Sequence, residues 1–389
     1  MNRWPQGSPR RPRWHPSPQS RKPRRLRSPL QSRLRRRCPP PLKLGRWWSR
    51  KAPKPYKFKN STSCCKNACR RRVRVVRVLC LGEALRDRFV VGDREVTAPG
   101  GAVANVAVAL AKLGIPVEFL GCVGDDEIGQ ELRQSLQDAG VGTAGLQVCP
   151  APTREIRIRV DGAGERSFVG FSGPPGTIYA DGLLMAEQIP EALFEAAEFL
   201  VLGSCLLPSP IAHKATQHAL HLAAKHYLKV VTDINWRSVF WPDPTLAVAT
   251  VLPLLHQTDF LKVSYEEALH FLGTASPAAI ANRLPDLEGV LVTDGERGGR
   301  YFLGDRQGEY RAFAVETVDT TGAGDAFLAG FLTRLTETPL SALSQPQTAQ
   351  SLLSYGAATG ALATRALGAT TALPTAAEVT AFLETAALA

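Results

Sequence analysis

Val318-Asp319-Thr320-Thr321-Gly322-Ala323-Gly324-Asp325-Ala326-Phe327 is the stretch on which the reading of this chain turns. A polar turn containing two glycines runs straight into an apolar helical pattern that continues through Phe331 and Leu335. Gly322 and Gly324 let the backbone come close to a ligand. The first amides of a helix have no partner within it, and together with the helix dipole they favour an anion, most simply a phosphate. Asp325 falls in the first turn of that helix. Two readings of it stand side by side: a first-turn acid that merely complements the dipole, and a general base placed beside a phosphoryl group. Spacing alone does not separate them.

Upstream, short apolar and β-branched runs alternate with helical segments. Strands are predicted at 74–81, 117–123, 199–203, 229–233, 260–263 and 290–293, with alanine-rich amphipathic helices such as 102–113 and 211–226 between them. This alternation predicts an α/β domain, a mostly parallel sheet covered by helices on both faces. Two pairs of runs differ. Residues 155–160 and 166–171 flank Asp161-Gly162-Ala163-Gly164, and 88–91 and 94–98 flank Gly92-Asp93. Both read as hairpins, so a small antiparallel β-flap is expected beside the main sheet, made of about 86–98 and 153–171.

The chain has 389 residues and a formal net charge of +12. Residues 1–72 hold 24 of the 47 Lys and Arg and no acid, since the first carboxylate is Glu83. Residues 73–389 therefore carry 23 basic and 35 acidic residues, a net charge of −12. The basicity belongs to a tail, which argues against nucleic-acid binding by the folded domain, 73–389. The tail is rich in Arg, Pro and Ser, with Trp4, Trp14, Trp47 and Trp48 scattered through it. Disorder is expected there. It reads as an organelle transit peptide, as a basic arm for nucleic acid or anionic membrane, or as upstream sequence translated from a misassigned start. No chemistry is assigned to it.

No membrane insertion is expected. The longest uncharged apolar run, 199–212, contains Pro208 and Pro210 and falls short of the about 20 residues a span requires. The N-terminus lacks the apolar centre of a secretory signal. Four of the eight cysteines (Cys38, Cys64, Cys65 and Cys69) lie in the tail, and Cys80, Cys122, Cys149 and Cys205 have no paired spacing. They read as reduced thiols packed as small hydrophobes, consistent with a cytoplasmic protein, or a plastid one if the tail is a transit peptide. His213, His218, His221 and His226 share one predicted helix without an acid or thiol at metal-binding spacing, and read as a solvated face. Arg154 and Arg166 read as exposed arginines of the flap.

The Asp-Thr-Thr-Gly-Ala-Gly-Asp run resembles the C-terminal signature of the pfkB (ribokinase-like) carbohydrate kinases. The N-terminal signature is matched by Gly100-Gly101-Ala102-Val103-Ala104-Asn105-Val106-Ala107, followed by Leu110 and Leu113-Gly114. Gly82-Glu83-Ala84-Leu85-Arg86-Asp87, the 121–129 stretch, and Val292-Thr293-Asp294-Gly295 through Gly298-Gly299 agree as well. The likeness runs from about residue 74 to the end. Ala98-Pro99-Gly100-Gly101 and Asp233-Ile234-Asn235-Trp236-Arg237 with Trp241 are most similar to fructokinases, whereas 171–176 departs from their pattern.

The resemblance implies a ribokinase-like three-layer α/β/α domain with a β-lid, transferring the γ-phosphoryl of ATP to a sugar hydroxyl, with fructose the foremost acceptor. Related acceptors would be 2-keto-3-deoxygluconate, ribose or a nucleoside, and a non-catalytic scaffold with a nucleic-acid-binding tail is the alternative of another class. Under this resemblance Asp325 is the base, and the amides of Gly322, Ala323 and Gly324 form an anion hole. Asp87, Gly100, Gly101 and Asn105 fall at acceptor positions, and Thr293, Gly295 and Gly298 at nucleotide positions. Glu267 matches the acid that organises Mg²⁺, through water, although Ser264 stands where many relatives carry Asn. Asp319 and Thr321 match a monovalent-cation loop, K⁺ being the expected ion. A homodimer through the lid is also expected, because exposed strand edges invite pairing.

Overall fold

The structure, a computed structural model, describes residues 76–91, 94–160, 166–174 and 176–386. The tail at 1–72 and the turns at 92–93 and 161–164 lie outside the described residues. In chain order the elements begin with β1 (Val78–Leu81), β2 (Leu85–Val91), β3 (Arg94–Gly100), α1 (Ala102–Lys112), β4 (Val117–Gly124) and α2 (Glu127–Asp138). They continue with β5 (Gly142–Cys149), β6 (Glu155–Val160), β7 (Arg166–Phe171), β8 (Phe199–Gly203), α3 (Pro210–Lys225), β9 (Lys229–Asp233) and α4 (Ala247–Leu255). Then come β10 (Phe260–Ser264), α5 (Tyr265–Leu272), α6 (Pro277–Arg283), β11 (Gly289–Thr293), β12 (Gly299–Leu303) and β13 (Arg306–Tyr310). The chain closes with α7 (Ala323–Leu335), α8 (Pro346–Ala363) and α9 (Ala376–Ala386).

The main sheet has the order β13-β12-β11-β10-β9-β8-β1-β4-β5. It is parallel from β5 to β11, and β12 and β13 add antiparallel at one edge. Its strands read as continuous apolar runs because both faces are covered. In β1, Val78 and Cys80 enter the core shared with α1, α7 and α8, while Leu79 and Leu81 enter the core shared with α3, α4 and α5. Helices thus lie on both faces, giving the expected three layers. From β1 the chain works outward to β4 and β5 on one side, then to β8–β11 on the other. Where the winding reverses, loops at the strands' C-terminal ends diverge and leave a crevice.

The six predicted strands are present. The sequence reading passed over β5, whose Gly142-Thr143-Ala144-Gly145 start lacks a hydrophobic signal, and over the polar edge hairpin of β12 and β13.

The smaller sheet has the order β3-β2-β6-β7. Each expected hairpin forms, but the flap is not antiparallel throughout: β2 and β6 pair in parallel at its centre. The reason is topological. β2 continues from β1 and β6 follows β5, and since those two run parallel in the main sheet, their continuations leave it in the same direction.

Candidate active site

Two helices begin at the crevice. α1 starts after Gly101, whose φ of 105° is one that L side chains rarely adopt, and α7 starts after Gly322 at φ 76°. All eight residues from Val103 to Leu110 of α1 are buried, since the helix lies between the sheet and α7. The first turns of the two helices therefore meet. Asn105 Nδ2 donates to Asp325 Oδ2 at 2.9 Å, joining residues 220 apart in sequence. From the loop after β9, Asn235 Nδ2 donates to Asp325 Oδ1 at 3.1 Å. Asn235 is held at φ 40°, one of two non-glycine residues with positive φ among the described residues.

Asp325 is thus a buried carboxylate with one amide on each oxygen. Burial pushes its carboxyl above the usual range, while the Lys262 ammonium, Asn105, Arg237 and Asn235 favour the charged form. A carboxylate offers about four lone-pair positions, so two amides leave room for a hydroxyl proton. The crevice holds a cavity of about 460 Å³ whose lining includes Glu83, Asp87, Asn105, Asn235, Arg237 and Asp325.

The acceptor positions read from the sequence gather here. Asp87 and Gly101 line the cavity beside Asn105. A Cβ on Gly100 would lie 2.5 Å from Asp87 Oδ2, so the glycine makes the room that this carboxylate occupies. At the α7 turn, Ala323 N–H donates to Thr320 O at 3.2 Å. Asp319 Oδ1 accepts from Thr321 N at 2.9 Å and Oδ2 from Gly368 N at 2.7 Å, which ties the turn to the segment after α8.

Thr293, Gly295 and Gly298 lie at the end of β11, where Asp294 N donates to Gly298 O at 2.8 Å. Beside them a cavity of about 740 Å³ is lined by residues that include Asp294, Arg297, Gly299, Tyr310 and Phe313.

A model of the pfkB family of carbohydrate kinases matches residues 77–376. The chain belongs to that family. Fructokinase-1 of Zea mays is 35% identical over 294 residues, covering 74% of this chain and 88% of the relative. A fructokinase of Xylella fastidiosa solved with bound ATP has a TM-score of 0.75 and 31% identity, covering 81% of this chain and all of that one. A fructokinase double mutant of Vibrio cholerae O395, solved with fructose, ADP and potassium ion, has a TM-score of 0.69 and 31% identity, covering 80% and 99%. The protein is therefore a carbohydrate kinase, a phosphotransferase with an alcohol group as acceptor.

Within this pfkB fold, Glu267 serves first as a helix cap. Ser264 and Glu267 form a capping box at the start of α5. Glu267 Oε2 accepts from Ser264 N at 2.9 Å and Oε1 from Trp236 N at 2.6 Å. The Ser-x-x-Glu spacing carries that signal in the sequence. No group of three or more His, Cys, Asp or Glu able to hold a metal occurs among the described residues. Among the described residues Glu267 is thus a lone acid at this position, and a hard cation held by one or two carboxylates keeps several waters and takes its other ligands from phosphates.

The sequence reading quoted Glu83 and Asn235 within matching runs without giving them a role, and passed over Lys262. Glu83 is buried, accepts from Ala102 N at 2.7 Å, and burial pushes its carboxyl up to about 7. Arg154 is not the exposed flap residue expected. It forms a two-pronged ion pair with buried Asp181, at 2.7 and 2.9 Å, and its guanidinium lies 4.4–4.9 Å from the ring centres of Phe171, Tyr179 and Phe240. It joins the lid strand β6 to the main body. Arg154→Ala would leave the Asp181 charge buried alone, at a cost of about 3–5 kcal/mol. Urea unfolding should show that loss, and the double variant with Asp181→Ala should recover part of it. The side chain of Arg166 lies outside the described residues.

Proposed function

We propose that this kinase transfers the γ-phosphoryl of ATP to fructose. The observation that carries the reading is the buried Asp325 carboxylate, bonded by Asn105 and Asn235 on the wall of the cavity and one residue beyond the Gly322–Gly324 turn. Asp325 accepts the proton of the attacking hydroxyl. Asp87 and Asn105, with the backbone at Gly100 and Gly101, hold the sugar. The amides of Gly322, Ala323 and Gly324 face the charge that develops on the phosphoryl group. Ala323 N–H would exchange its long bond to Thr320 for that charge.

ATP lies along the cavity beside β11, with its phosphates near Thr293, Gly295 and Gly298. Mg²⁺ neutralises the phosphate charge when bound. Glu267 reaches it through water in this proposal, while its two oxygens accept the amides of Trp236 and Ser264. Potassium belongs to the Asp319–Thr321 turn in the same proposal, with Asp319 shaping the turn through its bonds to Thr321 N and Gly368 N. The kinase domain of this proposal is 73–389, and no part of the reaction is assigned to 1–72. Cytoplasmic residence is proposed, with a plastid the alternative if the tail acts as a transit peptide. No helix among the described residues is long and apolar enough to cross a membrane. Association of two copies through the lid edges β3 and β7 completes the proposal.

The test is a comparison of kcat/KM for fructose, 2-keto-3-deoxygluconate, ribose and nucleosides with ATP and Mg²⁺. Fructose should lead the panel. A clear preference for any other acceptor overturns the substrate assignment, and the carbohydrate-kinase class stands.

A further inference from the structure

Lys262 is a buried lysine in the middle of β10. Strand alternation places it on the same side as Phe260, whose ring meets Phe331 of α7. Its ammonium therefore points towards the helix that carries Asp325. A Cβ built at Gly324 would lie 2.9 Å from Lys262 Nζ, so the charge sits against the turn one residue before the base. This is an unfavourable place for an uncompensated cation, because the N-terminus of a helix is already positive. Asp233 stands opposite on β9, and Lys262 Nζ donates to its Oδ2 at 2.7 Å. The other oxygen, Asp233 Oδ1, is buried with no hydrogen-bond partner among the described residues. A buried ion pair contributes little net stability over an apolar pair of the same shape, so stability alone gives weak reason for one here.

We propose that Lys262, held by Asp233, is a positioning residue that keeps Asp325 ionised beneath the glycine turn. The inference rests on Asp325 being the base. The groups that face Asp325 are Lys262 and Arg237 on the cationic side, Asp233 and Glu83 on the anionic side, and the two neutral amides of Asn105 and Asn235. Burial raises the Asp325 carboxyl, and among the influences that oppose it the Lys262 ammonium is the largest. Glu267 bears on Lys262 and Asp233 in turn.

The charges predict opposite effects for two variants. Lys262→Met removes the cation and should move the ionisation of Asp325 upward by about 1–3 pH units. Asp233→Asn removes the competing anion, commits Lys262 to Asp325, and should move it downward. Infrared difference titration of the carboxyl band against Asp325→Asn reads this directly, without substrate. Opposite shifts support the proposal. No shift, or shifts in the same direction, overturns it, and if Lys262→Met does not fold, the direction in Asp233→Asn decides alone. The acidic limb of kcat/KM for fructose should follow the titration in each variant. A limb that stays fixed while the carboxyl titration moves would count against Asp325 as the base and leave the charge relation intact.

Discussion

Asp325→Asn should fold normally and lose about 10²–10⁴-fold in kcat, the usual contribution of a positioned general base. The substitution keeps the shape of the side chain, and its new NH2 is satisfied once Asn105 or Asn235 turns its amide oxygen towards it, but it cannot take up the hydroxyl proton. Stability should not fall with activity. Because burial raises the Asp325 carboxyl in the folded state, the folded form binds this proton more tightly than the unfolded chain. The group's contribution to stability therefore declines as pH rises through its folded value. Glu83 at about 7 and Asp233 at about 6 act in the same direction. Removing the Asp325 charge should leave the melting temperature at pH 8 equal to or above that of the parent. Thermal melts beside steady-state rates check both halves, and a large drop in melting temperature would assign Asp325 a structural role instead.

Gly101→Ala should have the largest effect on the fold itself. The residue sits at φ 105°, and a Cβ there would lie 2.3 Å from the carbonyl oxygen of Glu83 and 3.1 Å from Ala84 Cα. Both are backbone atoms, so neither can rotate away. Positive-φ strain of about 1–3 kcal/mol adds to overpacking of about 1–3 kcal/mol. The same contact would push apart the loop after β1 and the start of α1, which carry Glu83 and Asn105. Loss of stability and a raised KM for the acceptor should appear together, measured by chemical unfolding and by rates at saturating ATP. Parent-like values for both would show that the loop can shift without consequence.

Much of the architecture was legible because the strands are buried on both faces and read as uninterrupted apolar runs. β5 and the β12–β13 hairpin were not, since glycine and charged residues at an edge carry no such signal. The parallel β2–β6 pairing was hidden for another reason: it depends on the directions of β1 and β5, which no local pattern encodes. Within the site, the glycine turn, Asp325 and Asn105 stood out because each departs from its surroundings, a polar group in an apolar helix or glycines before one. Lys262 was passed over because a single lysine in a strand reads as an outward-facing residue. Its burial becomes visible only when β9 sets Asp233 opposite and α7 covers both. Arg154 misled in the same way, since its partner, Asp181, is reached only after the whole of the lid.

The most direct measurement follows γ-labelled phosphate from ATP in the presence of fructose and Mg²⁺, with the parent protein and Asp325→Asn side by side. Label should appear on the sugar with the parent and little or none with the variant. Label transfer that survives the variant at the parent's rate would contradict Asp325 as the base, and a folded parent that labels no sugar would contradict the proposed reaction.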